Sequence, residues 1–134
     1  LDIDLQPIFC IGEKLEERKS KRTDRVLKKQ LDSGFDKVKP EDAHRITVAY
    51  EPVWAIGTGE TATLEQVEQA HATIRKWLTS KIGEEAETVR ILYGGSVKPD
   101  NAKDIMALEP VDGLLVGGAS LQAETFLPII EYDA

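Results

Sequence analysis

Cysteine and histidine are nearly missing from this sequence: of 134 residues, one is Cys and two are His. A lone Cys10 excludes a disulfide framework and fits a reducing compartment, so a cytoplasmic location is expected. One Cys with two His does not make a convincing zinc site, and no metal is expected. Long apolar runs are missing too. No stretch approaches the roughly 20 residues that cross a bilayer as a helix, so no membrane partner is expected. Positive charge is in deficit, with 17 Lys and Arg against 24 Asp and Glu and a net charge of −7. Such a chain is repelled by nucleic acid, which excludes it as a bulk partner. A small anionic substrate is not excluded, because local backbone N–H groups bind anions against the net charge. The opening Leu1-Asp2-Ile3-Asp4 has no basic segment, no long apolar stretch and no Met. The expectation is a chain without a secretory leader, whose own N-terminus was removed or never included.

What is there is an alternation of short apolar runs and charged, helix-favouring stretches. Gln6 to Ile11, Arg45 to Tyr50, Val89 to Tyr93 and Gly113 to Val116 read as buried strands rich in β-branched residues. Glu13 to Leu31 reads as a charged helix stopped near Ser33-Gly34, its solvated face carrying i,i+4 pairs such as Glu17 with Lys21. Thr63 and Gln66 form a capping box ahead of a stripe at helical spacing: Val67, Ala70, His71, Ile74, Trp77 and Leu78. Gly83 ends that helix. Asp100 to Leu108 predicts a short helix, and Leu121 to Tyr132 another that Pro128 kinks or shortens. Strand followed by helix, four times over, predicts an α/β fold with a parallel sheet. Four such units are half of an eight-unit (β/α)8 barrel, which typically takes ~250 residues. Residues 1–134 are therefore expected to be part of one barrel domain, with one sheet edge and one apolar face left open.

Every strand ends in chemically suggestive residues, and in a βα barrel the active site lies at those ends. Glu51 follows its strand directly and precedes Pro52, which holds it extended. A carboxylate half-buried there, beside Cys10, Trp54 and Ile56, suits a general base. The loop Pro52-Val53-Trp54-Ala55-Ile56-Gly57-Thr58-Gly59 carries apolar residues at its tip, as a lid does. Gly94-Gly95-Ser96 and Gly117-Gly118 are small-residue turns after successive strands. Their N–H groups are expected to converge on one anion, helped by a helix starting near Ala119 or Ser120 and without a Lys from this chain. Cys10 is expected to be a packed apolar residue rather than a nucleophile. His71 is read as a buried helix residue and His44 as a loop residue, neither an electrophile.

Taken in order, Pro7 to Glu13 (P-I-F-C-I-G-E), Ala49 to Gly59 (A-Y-E-P-V-W-A-I-G-T-G), Tyr93 to Ser96 (Y-G-G-S) and Leu115 to Leu121 (L-V-G-G-A-S-L) resemble the motifs of the triosephosphate isomerase family. The resemblance covers essentially the whole chain and implies the fifth to eighth units, the C-terminal half, of a TIM (β/α)8 barrel. It implies interconversion of dihydroxyacetone phosphate and glyceraldehyde 3-phosphate without a cofactor, with Glu51 moving the proton through an enediolate. It implies that Gly57, Ser96, Gly117 and Gly118 hold the substrate phosphate, and that Glu13 bonds Trp54 while Tyr93 and Ser96 secure the lid. It implies an ion pair between Arg75 and Asp112, and a homodimer for the whole enzyme. Glu60 stands where the family often has Lys. The family's substrate-binding Asn-x-Lys and electrophilic His have no counterpart here, so the chain alone is expected to be inactive and to need the missing N-terminal half. The alternative reading is a non-catalytic phosphate-binding half-barrel module.

Overall fold

A computed structural model describes residues 1, 3–58 and 60–133. Four strands, β1 (Ile8–Ile11), β2 (Thr47–Tyr50), β3 (Ile91–Tyr93) and β4 (Gly113–Leu114), pair in chain order, and all three pairings are parallel. The helices α1 (Leu15–Lys19) and α2 (Thr23–Gly34) follow β1. Then α3 (Leu64–Ile82) follows β2, α4 (Ala102–Met106) follows β3 and α5 (Ala123–Ile130) follows β4. This is the expected α/β arrangement of four parallel βα units, consistent with part of a TIM barrel. β1, β2 and β3 begin later than the apolar runs suggest, while β4 begins at Gly113 as expected and ends early, at Leu114. Turns of 3₁₀ helix at Pro40–Arg45 and Gly83–Thr88 deliver the chain to β2 and β3.

Register decides which residues face the helices. Ile11, Tyr50, Tyr93 and Leu114 are aligned across the sheet, as are Cys10, Ala49, Leu92 and Gly113 one residue earlier. Because side chains alternate along a strand, the two rows point to opposite faces. The first row packs under the helices, and Ile11, Tyr50 and Tyr93 are buried. The second row's face is open: Ile8 and Cys10 are exposed and Leu92 is half-buried. Cys10 is therefore not the packed residue expected, but an exposed one on the open face.

The clearest helix forms for local reasons. Gln66 N–H donates to Thr63 Oγ1 (3.2 Å) and Thr63 N–H to Gln66 Oε1 (2.9 Å), so the capping box is closed. Val67, Ala70, His71, Ile74, Trp77 and Leu78 are all buried, and Gly83 ends the helix at φ +64. Burying each large aliphatic of this stripe contributes about 1.5–3 kcal/mol. Phe35 packs edge-on between Phe9 and Trp77, while Trp77 Nε1 donates to Asp32 at 2.9 Å. His71 offers Nδ1 to the Pro110 carbonyl (3.1 Å), and burial pushes its pKa down to about 4. It is a buried core histidine; His44 is exposed against the Glu41 carbonyl. Arg75 pairs with Asp112 at 2.7 Å, as the resemblance implies, and also reaches the carbonyls of Ala86 and Val89. Asp112 in turn accepts the Ile91 N–H (2.7 Å), so this one pair ties α3 to β3 and the approach to β4.

Two helix readings need correction. The segment 13–31 is two helices, because Lys21 adopts a left-handed φ of +55 and breaks the run. The Glu17–Lys21 pair therefore does not form, and Glu17 instead accepts the Lys14 N–H at 2.8 Å. The last helix starts at Ala123 and runs to Ile130 with Pro128 inside it. Among the described residues, no helix is long and apolar enough to cross a membrane.

Candidate active site

The C-terminal ends of the strands converge. Glu51 continues β2, and its N–H donates to the Ile11 carbonyl at 2.7 Å. Its side chain is half-buried and passes Gly94, where a Cβ would stand 2.6 Å from Glu51 Cγ. Glycine at 94 is thus a steric requirement of the carboxylate's path. Cys10 lies on the same side, its thiol pushed up to about 11 by its partial burial and then by the negative Glu51 carboxylate nearby. A thiol held protonated at neutral pH is no nucleophile.

Glu51 borders a cleft of about 480 Å³ together with Ile56, Gly57, Gly94, Gly95, Ser96, Val97, Lys98 and the segment Leu115 to Ala119. The sequence-assigned Glu51, Gly57, Ser96, Gly117 and Gly118 therefore come to one place. Among the described residues, no protein acceptor takes the N–H of Ser96 or of Gly117. A Cβ built at Gly57, Gly117 or Gly118 meets nothing within 4 Å, so these backbones face open space. N–H groups that no protein acceptor takes, on turns after neighbouring strands, are of the kind from which anion-binding concavities are built. The expected short helix is present only as a turn of 3₁₀ helix that starts one residue early. Gly118–Leu121 is a single 3₁₀ turn, closed by the Ser120 N–H and Oγ on the Gly117 carbonyl (2.9 and 2.7 Å). Lys98, an exposed residue, also borders the cleft.

The loop after Glu51, expected to be a lid, is anchored at its start and exposed at its tip. Pro52 and Ala55 are buried, whereas Val53, Ile56, Gly57 and Thr58 are exposed. Val53–Ala55 is a 3₁₀ turn, and Thr58 Oγ1 folds back onto the Trp54 carbonyl at 2.7 Å. Gly59 lies outside the described residues. At the anchor, Trp54 Nε1 donates to Glu13 Oε1 at 3.0 Å. Glu13 is fully buried yet well satisfied: Arg18 Nε donates at 2.8 Å and the Tyr50 hydroxyl lies 3.1 and 3.2 Å from its two oxygens. Arg18 also donates to the Tyr50 hydroxyl (2.8 Å) and stacks 5.9 Å from the Trp54 ring centre. Burial, then the Glu13 charge, raises the Tyr50 pKa well above that of a free phenol. Tyr93 is buried with its pKa pushed up to about 12 by burial, its hydroxyl on the side of the Ala62 backbone near the lid's end. Among the described residues, no three His, Cys, Asp or Glu side chains gather as a metal site would need.

Sequence reasoning missed Arg18, the Tyr50 hydroxyl and Lys98. Arg18 reads as one more charge on a solvated helix; its partner Glu13 precedes the helix, so no i,i+4 rule links them.

The family model for triosephosphate isomerase matches residues 1–133. A triosephosphate isomerase of Fusobacterium nucleatum subsp. nucleatum is 52% identical over 132 residues, covering 98% of this chain and 53% of the relative. One from Herminiimonas arsenicoxydans is 50% identical over 130 residues, 97% of this chain and 52% of the relative. One from Paracoccidioides lutzii is 51% identical over 127 residues, 94% of this chain and 51% of the relative. The chain spans about half the length of the curated relatives it matches. With a strand-end carboxylate, an anchored loop and two glycine turns around one cleft, and with a family match along nearly its whole length, this chain belongs to the triosephosphate isomerase family.

Proposed function

We propose that residues 1–134 form the C-terminal half of one catalytic barrel that interconverts dihydroxyacetone phosphate and glyceraldehyde 3-phosphate. The observation that carries this reading is the shared cleft of Glu51, Gly57, Ser96, Gly117 and Gly118. In it, Glu51 takes a proton from the carbon beside the substrate carbonyl, leaving an enediolate, and returns it to the neighbouring carbon. Ser96, Gly117 and Gly118 present N–H groups to the phosphate. Gly57, which borders the cleft from the lid at φ +65, adds another when the lid closes. Pro52, Val53, Trp54, Ala55, Ile56, Thr58 and Gly59 are the lid, with Glu13 and Tyr93 as its supports. The reaction uses no cofactor or metal. The enzyme works in the cytoplasm as a homodimer, and this chain needs the preceding half of the barrel to turn over substrate. Groups that stabilise the enediolate are each worth ~10²–10³ in rate, and the family's Lys and His that do so are not in this chain.

The test joins this chain to the preceding half of the Fusobacterium nucleatum relative, giving a completed barrel. The completed barrel is expected to isomerise triose phosphates, and the chain alone is not. Glu51→Asp in the completed barrel is expected to lower kcat by ~10²-fold with KM little changed, since displacing a reacting group by about 1 Å costs that much. A variant that keeps kcat and loses substrate affinity would show that Glu51 is not the general base, whereas a completed barrel that binds phosphate without turning over substrate would favour a phosphate-binding module.

A further inference from the structure

Past the last residues of β1 and β2 the two chains keep running side by side. Glu51 N–H bonds the Ile11 carbonyl (2.7 Å), and Val53 N–H bonds the Glu13 carbonyl (3.1 Å). Gly12 lies between these two bonds. A Cβ at Gly12 would overlap the Glu51 carbonyl oxygen and stand 2.5 Å from the Glu51 carbonyl carbon and 3.2 Å from the Pro52 nitrogen. The bare Gly12 peptide is thus the surface on which the Glu51–Pro52 peptide rests. Both polar groups of Gly12 go to one side chain on α2. Gly12 N–H donates to Gln30 Oε1 at 3.0 Å, and Gln30 Nε2 donates to the Gly12 carbonyl at 3.0 Å. A carboxamide offers one acceptor and one donor side by side, which is what matching a peptide's two groups requires. Gln30 stands beside the buried Leu27 and Leu31 on α2, in a half-buried place where an apolar side chain would pack but would leave the Gly12 peptide without both of these bonds. Its amide must be explained by what it holds.

We propose that Gln30 is a positioning residue for Glu51: by clamping the Gly12 peptide it fixes the height at which the carboxylate stands over the cleft. This rests on the reading of Glu51 as the general base. Two contacts locate that base. Gly94 leaves room for the side chain from β3, and Gly12 supports the backbone from β1. Of these, Gly12 is gripped from outside the sheet, so Gln30 carries the rigidity of α2 to the reacting group. Catalytic groups need such support, because their own rotamers alone do not hold them to the required tolerance.

The experiment uses the completed barrel with Gln30→Met and Gln30→Glu. Methionine keeps the length and bulk of glutamine and makes neither hydrogen bond. Glutamate keeps an acceptor for the Gly12 N–H but sets an oxygen against the Gly12 carbonyl. In both, kcat is expected to fall by ~10- to 100-fold, the range for a displacement of up to about 1 Å. KM, inhibition by inorganic phosphate and the urea midpoint of Gln30→Met are expected to change little. An unchanged kcat in Gln30→Met overturns the proposal. So does a loss of phosphate binding in step with kcat, which is the mark of a merely structural residue. Glu51→Asp, assayed alongside, separates the two ideas: if it costs no rate, the base reading fails independently of Gln30. The backbone amide resonances then decide the positioning claim without any turnover. In Gln30→Met those of Glu51 and Val53 are expected to shift while those of Ser96 and Gly117 stay. Unmoved Glu51 and Val53 resonances would sink it.

Discussion

Polar groups behind the sheet and polar groups at its mouth are treated in opposite ways. Behind the sheet, Glu13 meets Arg18, Tyr50 and Trp54, Asp112 meets Arg75 and the Ile91 N–H, and Asp32 meets Trp77. At the mouth, among the described residues, no cation pairs with Glu51 and no protein acceptor takes the N–H of Ser96 or Gly117. A buried polar group without a partner costs roughly 1–3 kcal/mol, which favours pairing at the rear, although the Tyr93 hydroxyl and His71 Nε2 are buried there without a partner. The mouth groups escape that cost because the cleft is open to water. The difference separates residues whose partners are already in the chain from residues left free to take a partner from outside it.

The comparison breaks first, and hardest, at Glu13. In the completed barrel, Glu13→Ala is expected to lower stability by about 3–5 kcal/mol in urea unfolding, the usual cost of removing one member of a buried ion pair. It strands Arg18 and leaves the Tyr50 hydroxyl and the Trp54 indole without their acceptor. A loss below about 1 kcal/mol, the scale of a surface pair, would mean that the rear network is not what holds the lid anchor.

His71 sharpens the comparison, because it is a rear group whose partner is a carbonyl and not a charge. Its pKa is lowered from 6.5 to about 4 by burial, against the smaller raising effects of the Pro110 carbonyl and Asp112. Below pH 6.5 the unfolded chain takes up a proton that the folded chain refuses until about pH 4. His71 therefore adds nothing to the pH dependence above 6.5 and lowers stability as pH falls through that window. The full loss is on the order of 3 kcal/mol. His71→Gln is expected to flatten this part of the profile, measured as urea midpoints at pH 7, 5.5 and 4.5. Parallel profiles for the two proteins would show that burial does not hold His71 neutral.

The smallest effect on the fold is expected at the mouth. Gly117→Val projects into open space, so stability should stay within about 0.5 kcal/mol, as at surface sites generally. Phosphate affinity, by contrast, should fall by roughly tenfold, equivalent to about 1.4 kcal/mol. Titration with inorganic phosphate, followed by fluorescence of Trp54, reads both the binding and the lid. Unaltered affinity would reduce the two glycine turns to turns.

Much of this was legible along the chain because its causes are local. Thr63 and Gln66 are three residues apart, and the α3 stripe repeats within two turns, so helix start, buried face and stop at Gly83 follow from spacing. The strand-helix alternation placed Glu51 and both glycine turns on one rim, because every parallel strand presents its C-terminal end to the same side. The break at Lys21 was not legible, since nothing in Glu13 to Leu31 forbids one continuous helix. The exposure of Cys10 was not legible either. It depends on which of two alternating rows meets the helices and on what covers the other.

The sequence by itself determined the order of elements, the face each helix buries and the residues available at the strand ends. Which distant groups meet was left to the tertiary structure: Arg18 with Tyr50, and Gln30 with Gly12, lie 32 and 18 residues apart. Propensity, capping and periodicity act over a few residues and leave a mark in the local sequence. A hydrogen bond across the sheet depends on register and on how the helices dock, and Arg18, Gln30 and Lys98 carry no local sign of the partner or cleft that the fold puts beside them.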